Sequence, residues 1–283
     1  MSNYTWKIKF KIDHLLTDRP IKDSSIEFFS PHFPSTEKDR DYTEGQLTIS
    51  LTNLNYSVKE IVTEGLETVI ALTNQINLPV EIIKIESPPG VLPGEKAQFS
   101  GYQSFPIKES EKIPHFWNKY QKLIENSHQE LNYSIQWFMR AVKSDNPIDK
   151  FVYSWITFNM LYGWLTQVKG EQHHEGIKAL TGKDIPCLNK QKEIVIRHKT
   201  ILEELSRLNL TDRGGIDRAK KLRMALYGRS PRKILECAIG AFGVIRHNIF
   251  HGSLKDRTME AERCIWPLIH LDAEIIKDQL DKI

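Results

Sequence analysis

The composition of this 283-residue chain is that of a globular protein, since 40% of its residues are hydrophobic and 27% are charged. Its sequence contains no apolar run of about 18 residues that could cross a bilayer, and its start, MSNYTWKIKF, lacks the apolar core of a signal peptide. Cys187, Cys237 and Cys264 lie far apart without a C-x-x-C pair, which argues against a disulfide framework and a cysteine zinc site. We therefore expect a cytoplasmic protein with no membrane partner.

The net charge of +3 is small but unevenly distributed. The segment 213–233 holds eight Lys or Arg and one acid, a net charge of +7, whereas the rest has 31 basic and 35 acidic residues. Such a run is often only a solvated surface, but its density also suits contact with the phosphate backbone of RNA. The candidate RNA-binding residues are Arg218, Lys220, Lys221, Arg223, Arg229, Arg232 and Lys233.

Apolar and polar residues alternate in the first part of the chain, which predicts β-strands. Tyr4–Asp13 alternates throughout, and shorter patterns predict strands at 25–29, 47–51, 80–85 and 97–105. Ser57 and Glu60 fit a capping box that opens a helix ending before Pro79. Residues 87–95 are rich in Pro and Gly and predict a turn-rich connection. The sequence thus predicts a small α+β domain over residues 1–105.

From about residue 109 the apolar period becomes helical. Spacings of three and four from Trp117 to Val142 predict one long helix that ends before Pro147. The aromatic segment 151–165 predicts a helix packed antiparallel to it, and further helices are predicted at 194–208, 217–227, 231–251 and 257–280. His198, Trp155 and Tyr162 lie in apolar stripes and are predicted to be core residues. Residues 109–283 are therefore predicted to form an all-α helical bundle.

The segment from Pro231 to Gly252 is predicted to be a central, buried helix. Its apolar face consists of Ile234, Ala238, Phe242, Ile245 and Ile249. Arg246 projects inside this apolar arc, where a guanidinium is costly unless an anionic or hydrogen-bonding group meets it. Gly240 and Gly243 share another face with two histidines, and their missing side chains predict close approach by a second backbone.

The run Arg246-His247-Asn248-Ile249-Phe250-His251, followed by Gly252, resembles the R-x4-6-H motif of the HEPN superfamily. These proteins are all-α, mostly dimeric, metal-independent ribonucleases, and IRHNIFHG is most similar to the Apea-like HEPN proteins of prokaryotic defence systems. The segment FVYSWITFNMLYGW, residues 151–164, is similar to the aromatic helix early in such domains. The resemblance covers the C-terminal three fifths of the chain and nothing before about Glu109.

The resemblance implies an endoribonuclease that needs no metal or cofactor. Arg246 would bind the scissile phosphate and His251 would act as general acid or base, because imidazole titrates near neutral pH and guanidinium donates to phosphate oxygens. His247, Asn248 and Asn159 would support them. The implied role is that of a toxin or of antiviral defence by abortive infection, exerted by a homodimer. The N-terminal domain would be a sensor, a regulator with its own ligand or partner, or an RNA guide.

Several alternatives remain open at the level of sequence. Residues five apart on a helix point about 140° away from each other, so either the last turn loosens at Gly252 or a two-fold axis completes the site. Arg246 could instead satisfy a buried carboxylate while His251 caps the helix. His247 and His251 could form half of a zinc site, although no third ligand is evident. A non-catalytic module that binds RNA, a nucleotide or a partner protein is the alternative from another class.

Overall fold

A computed structural model describes residues 4–12, 21–22, 26–28, 43–51, 58–86, 110–126, 128–167, 188–251 and 258–283. The chain forms two compact units that divide after Ser127. Four predicted features lie outside the described residues: the strand at 97–105, the connection at 87–95, the capping residue Ser57 and the terminal Gly252. Cys187 also lies outside them. No described helix has an apolar stretch long enough to span a membrane.

The first unit contains an antiparallel sheet. Its described strands are β1 (Tyr4–Ile12), β2 (Ile21–Lys22), β3 (Ile26–Phe28), β4 (Thr43–Leu51) and β5 (Val80–Glu86). Their order is β2-β3-β4-β1-β5, with β1 paired to both β4 and β5. The alternation predicted for β1 is confirmed, because Trp6, Ile8 and Phe10 are buried whereas Lys7 and Lys9 are exposed. One face of the sheet therefore supplies the core.

Two helices complete this unit, α1 (Val58–Asn74) and α2 (Ile113–Asn126). They meet at Gly65 of α1, where an added Cβ would lie 2.8 Å from the Trp117 ring and 2.9 Å from the Tyr120 ring of α2. Because α2 packs on α1, it belongs with the sheet. The division thus falls after Ser127, whereas the change of periodicity had predicted it between residues 105 and 109.

The second unit is helical. Its described helices are α3 (Gln129–Lys143), α4 (Pro147–Thr166), α5 (Leu188–Arg197), α6 (Lys199–Leu205), α7 (Arg218–Gly228), α8 (Pro231–His251) and α9 (Thr258–Leu280). The predicted antiparallel pair is confirmed in α3 and α4, since the Trp137 ring centroid lies 5.6 Å from that of Tyr153. The Asn146 side chain starts α4 by accepting from the N–H of Ile148 at 2.8 Å. The α+β part followed by a helical part is therefore observed.

Two helix predictions were too long. The helix predicted from Trp117 to Val142 is interrupted between α2 and α3, and the one predicted at 194–208 is broken at His198 between α5 and α6. The His198 ring is buried, and its Nε2 lies 3.1 Å from Nδ1 of His270 on α9. His198 is therefore a buried histidine that contacts another helix, as predicted.

Candidate functional site

Helix α8 positions the residues of the predicted site. It begins at Pro231 and remains helical through His251, as predicted. Its buried residues are Ile234, Leu235, Ala238, Ile239, Ala241, Phe242, Val244, Ile245 and Ile249. Packing of this apolar face fixes the helix in the bundle, so that its last two turns present polar side chains at one end.

Arg246 is half-buried on α8 and only partly satisfied. Its Nε atom is buried and has no hydrogen-bond partner in the part of the chain that the structure describes. Its guanidinium carbon lies 4.8 Å from the ring centroid of Phe250, a side chain that is 54% exposed. No described carboxylate forms an ion pair with Arg246. The guanidinium therefore reaches from the helix interface to the surface beneath an aromatic ring.

Helix α4 faces α8 at this point. A Cβ added to Gly243 would lie 3.6 Å from the Trp155 ring, and the charge of Arg246 acts on Tyr162. Burial raises the pKa of Tyr162, while Arg246 opposes that rise. Asn159 lies on the same side of α4, one turn from each aromatic residue. Its Oδ1 is also buried without a hydrogen-bond partner among the described residues.

Two imidazoles lie side by side in the last turn of α8. The ring centroids of His247 and His251 are 4.6 Å apart with an interplanar angle of 39°, and His251 is exposed. Nε2 of His247 accepts a hydrogen bond of 3.1 Å from Nε of Arg213. Burial lowers the pKa of His247, and the nearby Arg213, His251 and Arg246 lower it further. His247 is therefore neutral at pH 7 with its hydrogen on Nδ1.

The turn before α7 holds Arg213 in this position. Oδ1 of Asp212 accepts from the N–H groups of Gly214 at 3.0 Å and Ile216 at 2.9 Å, and its Oδ2 accepts from Nε of Arg218 at 2.7 Å. Slight burial opposes ionisation of Asp212, but these hydrogen bonds and the Arg218 charge lower its pKa. One ionised carboxylate thus fixes the turn that carries Arg213 to His247.

The predicted RNA-binding residues divide into two groups. Three have partners within the chain: Arg218 pairs with Asp212, Arg223 donates to the Ser206 carbonyl at 2.8 Å and 3.2 Å, and Lys233 pairs with Glu236 at 3.1 Å. The others, Lys220, Lys221, Arg229 and Arg232, are exposed. Arg223 thus fixes α7 to the end of α6, and contact with RNA remains a prediction for the exposed group.

The interpretation of Gly240 and Gly243 is not confirmed within the chain. They were predicted to admit a second backbone, but side chains of the same chain lie there. Arg218 covers Gly240, with its Cδ 3.6 Å from the position of an added Cβ, and Trp155 covers Gly243 at the same distance. An added Cβ would make only ordinary contact with these side chains, so the glycines are not explained by a close backbone within the chain, and a two-fold axis stays a prediction.

No family model, curated protein or solved structure matches this chain. Among the described residues, no three His, Cys, Asp or Glu side chains are arranged to hold a metal, so His247 and His251 find no third ligand there. Asn248 is half-buried on α8, and its supporting role stays a prediction.

Two residues that the sequence did not single out contribute to the site. Arg213 was counted only as part of a basic run, and Phe250 only as a letter of the motif. The sequence held a signal for each of them. An aromatic residue four positions after Arg246 lies beside it on a helix, and a basic residue in a Gly-containing turn lies at the protein surface. The distance in sequence between Arg213 and His247 hid their contact.

Proposed function

We propose that the second unit is a metal-independent endoribonuclease of the HEPN type that cuts RNA at the end of α8. The observation that supports this most directly is the buried Nε of Arg246, which has no partner among the described residues, on the same end of α8 as two neighbouring imidazoles. A buried donor without a partner costs about 1–3 kcal/mol. A phosphate oxygen at this position would supply the missing acceptor.

The residues divide the chemistry between them. Arg246 donates to the phosphate oxygens, and the exposed ring of Phe250 offers a surface on which a base stacks. The 2′-oxygen bonds to phosphorus as the bond from phosphorus to the 5′-oxygen breaks. His251 accepts the 2′-hydroxyl proton or supplies the proton that the 5′-oxygen takes. The products are a 2′,3′-cyclic phosphate and a 5′-hydroxyl.

His247 and Arg213 act in this proposal as positioning residues. Since Nε2 of His247 is occupied by Arg213, the neutral ring presents its Nδ1–H and adds no second positive charge beside His251. Arg246 and His251 point about 140° apart around α8. We therefore include a homodimer in the proposal, in which a second copy of the chain brings its own α8 end to the same phosphate.

Cleavage of labelled RNA in the presence of EDTA tests the assignment. Arg246→Ala and His251→Ala are each expected to lower the rate by about 100-fold or more, the usual effect of removing a proton-transfer or charge-stabilising group. Arg207→Ala, an exposed arginine after α6, and His128→Ala, an exposed histidine before α3, are matched controls that should retain the wild-type rate. Wild-type cleavage by both site variants, with folding verified by circular dichroism, would falsify the proposal.

An RNA with a single 2′-deoxy residue separates cleavage from binding. The proposed reaction needs the 2′-hydroxyl, so the substituted linkage should resist cleavage while the strand still binds. Binding with no cleavage of any RNA would instead support the non-catalytic module. Light scattering of the purified chain measures the oligomeric state, and a monomer that cuts RNA at full rate would remove the homodimer from the proposal.

The proposed toxin or defence role has its own test in bacteria. Expression of the wild-type chain should slow growth, and His251→Ala should relieve this effect at equal protein levels. Equal toxicity of the two chains would separate the biological effect from the proposed nuclease.

A further inference from the structure

A second cavity lies between α7 and the first two turns of α8. Its volume is about 430 Å³, and it is lined on the α7 side by Arg218, Lys221 and Met224 and on the α8 side by Lys233 and Cys237. Cys237 is about 21 Å along α8 from His251, at the helical rise of 1.5 Å per residue. The cavity is therefore separate from the proposed cleavage site.

Positive charge surrounds this cavity. Three cations, Arg218, Lys221 and Lys233, line it together with a single carboxylate, that of Glu236. Burial raises the pKa of the Cys237 thiol; Lys233 acts to lower it, Glu236 to raise it, and Lys221 and Arg218 to lower it, so all three cations lie close enough to act on the thiol. Arg218 is paired with Asp212 outside the cavity, and Lys233 with Glu236 of the lining at 3.1 Å, whereas no described carboxylate pairs with Lys221. Because the Lys233 side chain is exposed, its pair is weak, so Lys221 and Lys233 are the two cations that a ligand anion could engage.

The start of α8 adds to this field. Ser230 lines the cavity just before the helix, and its Oγ lies 3.5 Å from the N–H of Lys233. The first N–H groups of a helix carry a partial positive charge that attracts phosphate. A phosphate between Lys221 and Lys233 would therefore meet two ammonium groups, one of them shared with Glu236, at the positive end of α8, where Ser230 already accepts from the N–H groups of Lys233 and Ile234.

The cavity also has an apolar part and is larger than one anion requires. A water molecule occupies about 30 Å³ of liquid, and pockets for organic ligands begin at about 300 Å³. Met224, which is 65% exposed, lies with Ala225 and Gly228 on the α7 wall. A flexible thioether at a pocket rim suits a flat ring placed against it. The ligand is thus expected to carry a ring as well as a phosphate.

We propose that this cavity binds a nucleoside monophosphate, with Lys221 and Lys233 on its phosphate and Met224 against its base. The site would exist whether or not the chain cuts RNA, since it shares no residue with the cleavage site. A mononucleotide there would lie against the same helix that ends in Arg246 and His251.

Isothermal titration calorimetry of the full chain with AMP, GMP, CMP and UMP tests the proposal. At least one nucleotide should bind, and Lys221→Glu and Lys233→Glu should each weaken its affinity by about 10-fold or more, equivalent to about 1.4 kcal/mol. The matched controls are Lys220→Glu and Arg232→Glu, which change the neighbouring exposed charges outside the cavity. These should leave the affinity within about 3-fold of the wild type.

Three results would overturn this inference. The first is absence of binding by all four nucleotides at millimolar concentration. The second is an equal loss of affinity in the control variants, which would indicate only general attraction to a basic surface. The third is equal binding of inorganic phosphate or of the unphosphorylated nucleoside, because the site would then not recognise both parts of a nucleotide. Since no cleavage is measured, each result leaves the nuclease proposal unaffected.

Discussion

Two polar clusters in the second unit differ in how well their members are paired. The first joins α5, α6 and α9: His198 lies 3.1 Å from His270, and Glu274 forms ion pairs with Lys277 and, at 3.3 Å, with Lys190. The second lies between α4 and α8, where Nε of Arg246 and Oδ1 of Asn159 have no partner among the described residues. In the first cluster Nε2 of His270 also lacks a hydrogen-bond partner among the described residues, but it lies 3.7 Å from Oε1 of Glu274, which is ion-paired to two lysines. The two clusters therefore differ in their charges: the buried carboxylate of the first is paired with lysines, whereas no described carboxylate pairs with Arg246 in the second.

We expect the first cluster to contribute to the stability of the fold and the second to the binding of a ligand. A paired buried cluster resists change because the loss of one member leaves the others without partners. An unpaired one costs stability and gains a partner only when a ligand arrives. We therefore expect substitutions in the first cluster to unfold the bundle, and substitutions in the second to leave it folded or more stable while activity falls.

Glu274→Leu should have the largest effect. It leaves the buried Lys277 without its carboxylate partner, and breaking a buried ion pair costs about 3–5 kcal/mol. Hydrogen exchange of α9 amides, followed by mass spectrometry, reports the opening of this unit. Glu262→Leu removes an exposed carboxylate from the same helix and should leave exchange unchanged. Equal protection in both variants would show that the first cluster does not stabilise the bundle.

Acid should weaken the same cluster by a somewhat smaller amount. Burial, with the charges of His270 and Arg197, lowers the pKa of His198 from 6.5 to about 3. The unfolded chain therefore binds more protons between these values, and stability falls as the pH drops below 6.5. At pH 5 the contribution of His198 to this loss is about 2 kcal/mol.

Urea unfolding at pH 7.5 and pH 5 measures this loss, and His198→Phe should reduce the difference between the two. Glu274 adds a further loss at lower pH. Burial opposes its ionisation, but His270 and the two lysines lower its pKa to about 2, so stability falls as the pH drops below its usual value of 4.5. An unchanged pH dependence in His198→Phe would assign the acid sensitivity to other groups.

Asn159→Leu should act in the opposite direction. Replacing an unpaired buried acceptor by an apolar side chain of similar size is expected to raise the free energy of unfolding by about 1 kcal/mol. The matched control on α4 is Thr157→Val, which removes a hydroxyl that is paired with the Tyr153 carbonyl at 3.0 Å. The control should be neutral or destabilising. Destabilisation by Asn159→Leu would mean that its amide is satisfied.

Arg213→Ala should change stability least but alter the charge of the site. The variant removes the donor to Nε2 of His247 and one positive charge, so the pKa of His247 should rise while burial still keeps it below 6.5. NMR titration of the imidazole follows this change directly. Arg207→Ala, which removes another exposed arginine, should leave the titration unchanged, and an equal shift there would indicate only a general effect of net charge.

The sequence was informative where periodicity and local signals agree. Helix α8 was predicted with its observed bounds because its apolar spacing is regular and Pro231 marks its start. The alternation of β1 and the burial of Trp155 and Tyr162 followed from the same kind of pattern. The unusual position of Arg246 was also evident, since a helical wheel places it within the apolar arc.

Features that depend on distant contacts could not be predicted in this way. The apolar period continues across the break at His198, so the spacing of residues gives no sign of it, and the contact between His198 and His270 on α9 joins residues that are far apart in sequence. The sequence predicted that a neighbour would lie close to Gly240 and Gly243, but it did not show that the neighbours are Arg218 and Trp155. Arg213 and His247 are brought together by the path of the chain, which spacing within one helix does not reveal.

The turn held by Asp212 determines the position of a charge beside the site without changing the structure of α8. Its carboxylate accepts from two backbone N–H groups and from Arg218, and so sets how closely Arg213 approaches His247. Exchanges in this surface turn that move Arg213 away from His247 would therefore raise the pKa of His247. The charge beside the end of α8 is thus set by a surface turn, while the packing of the helix itself is left unchanged.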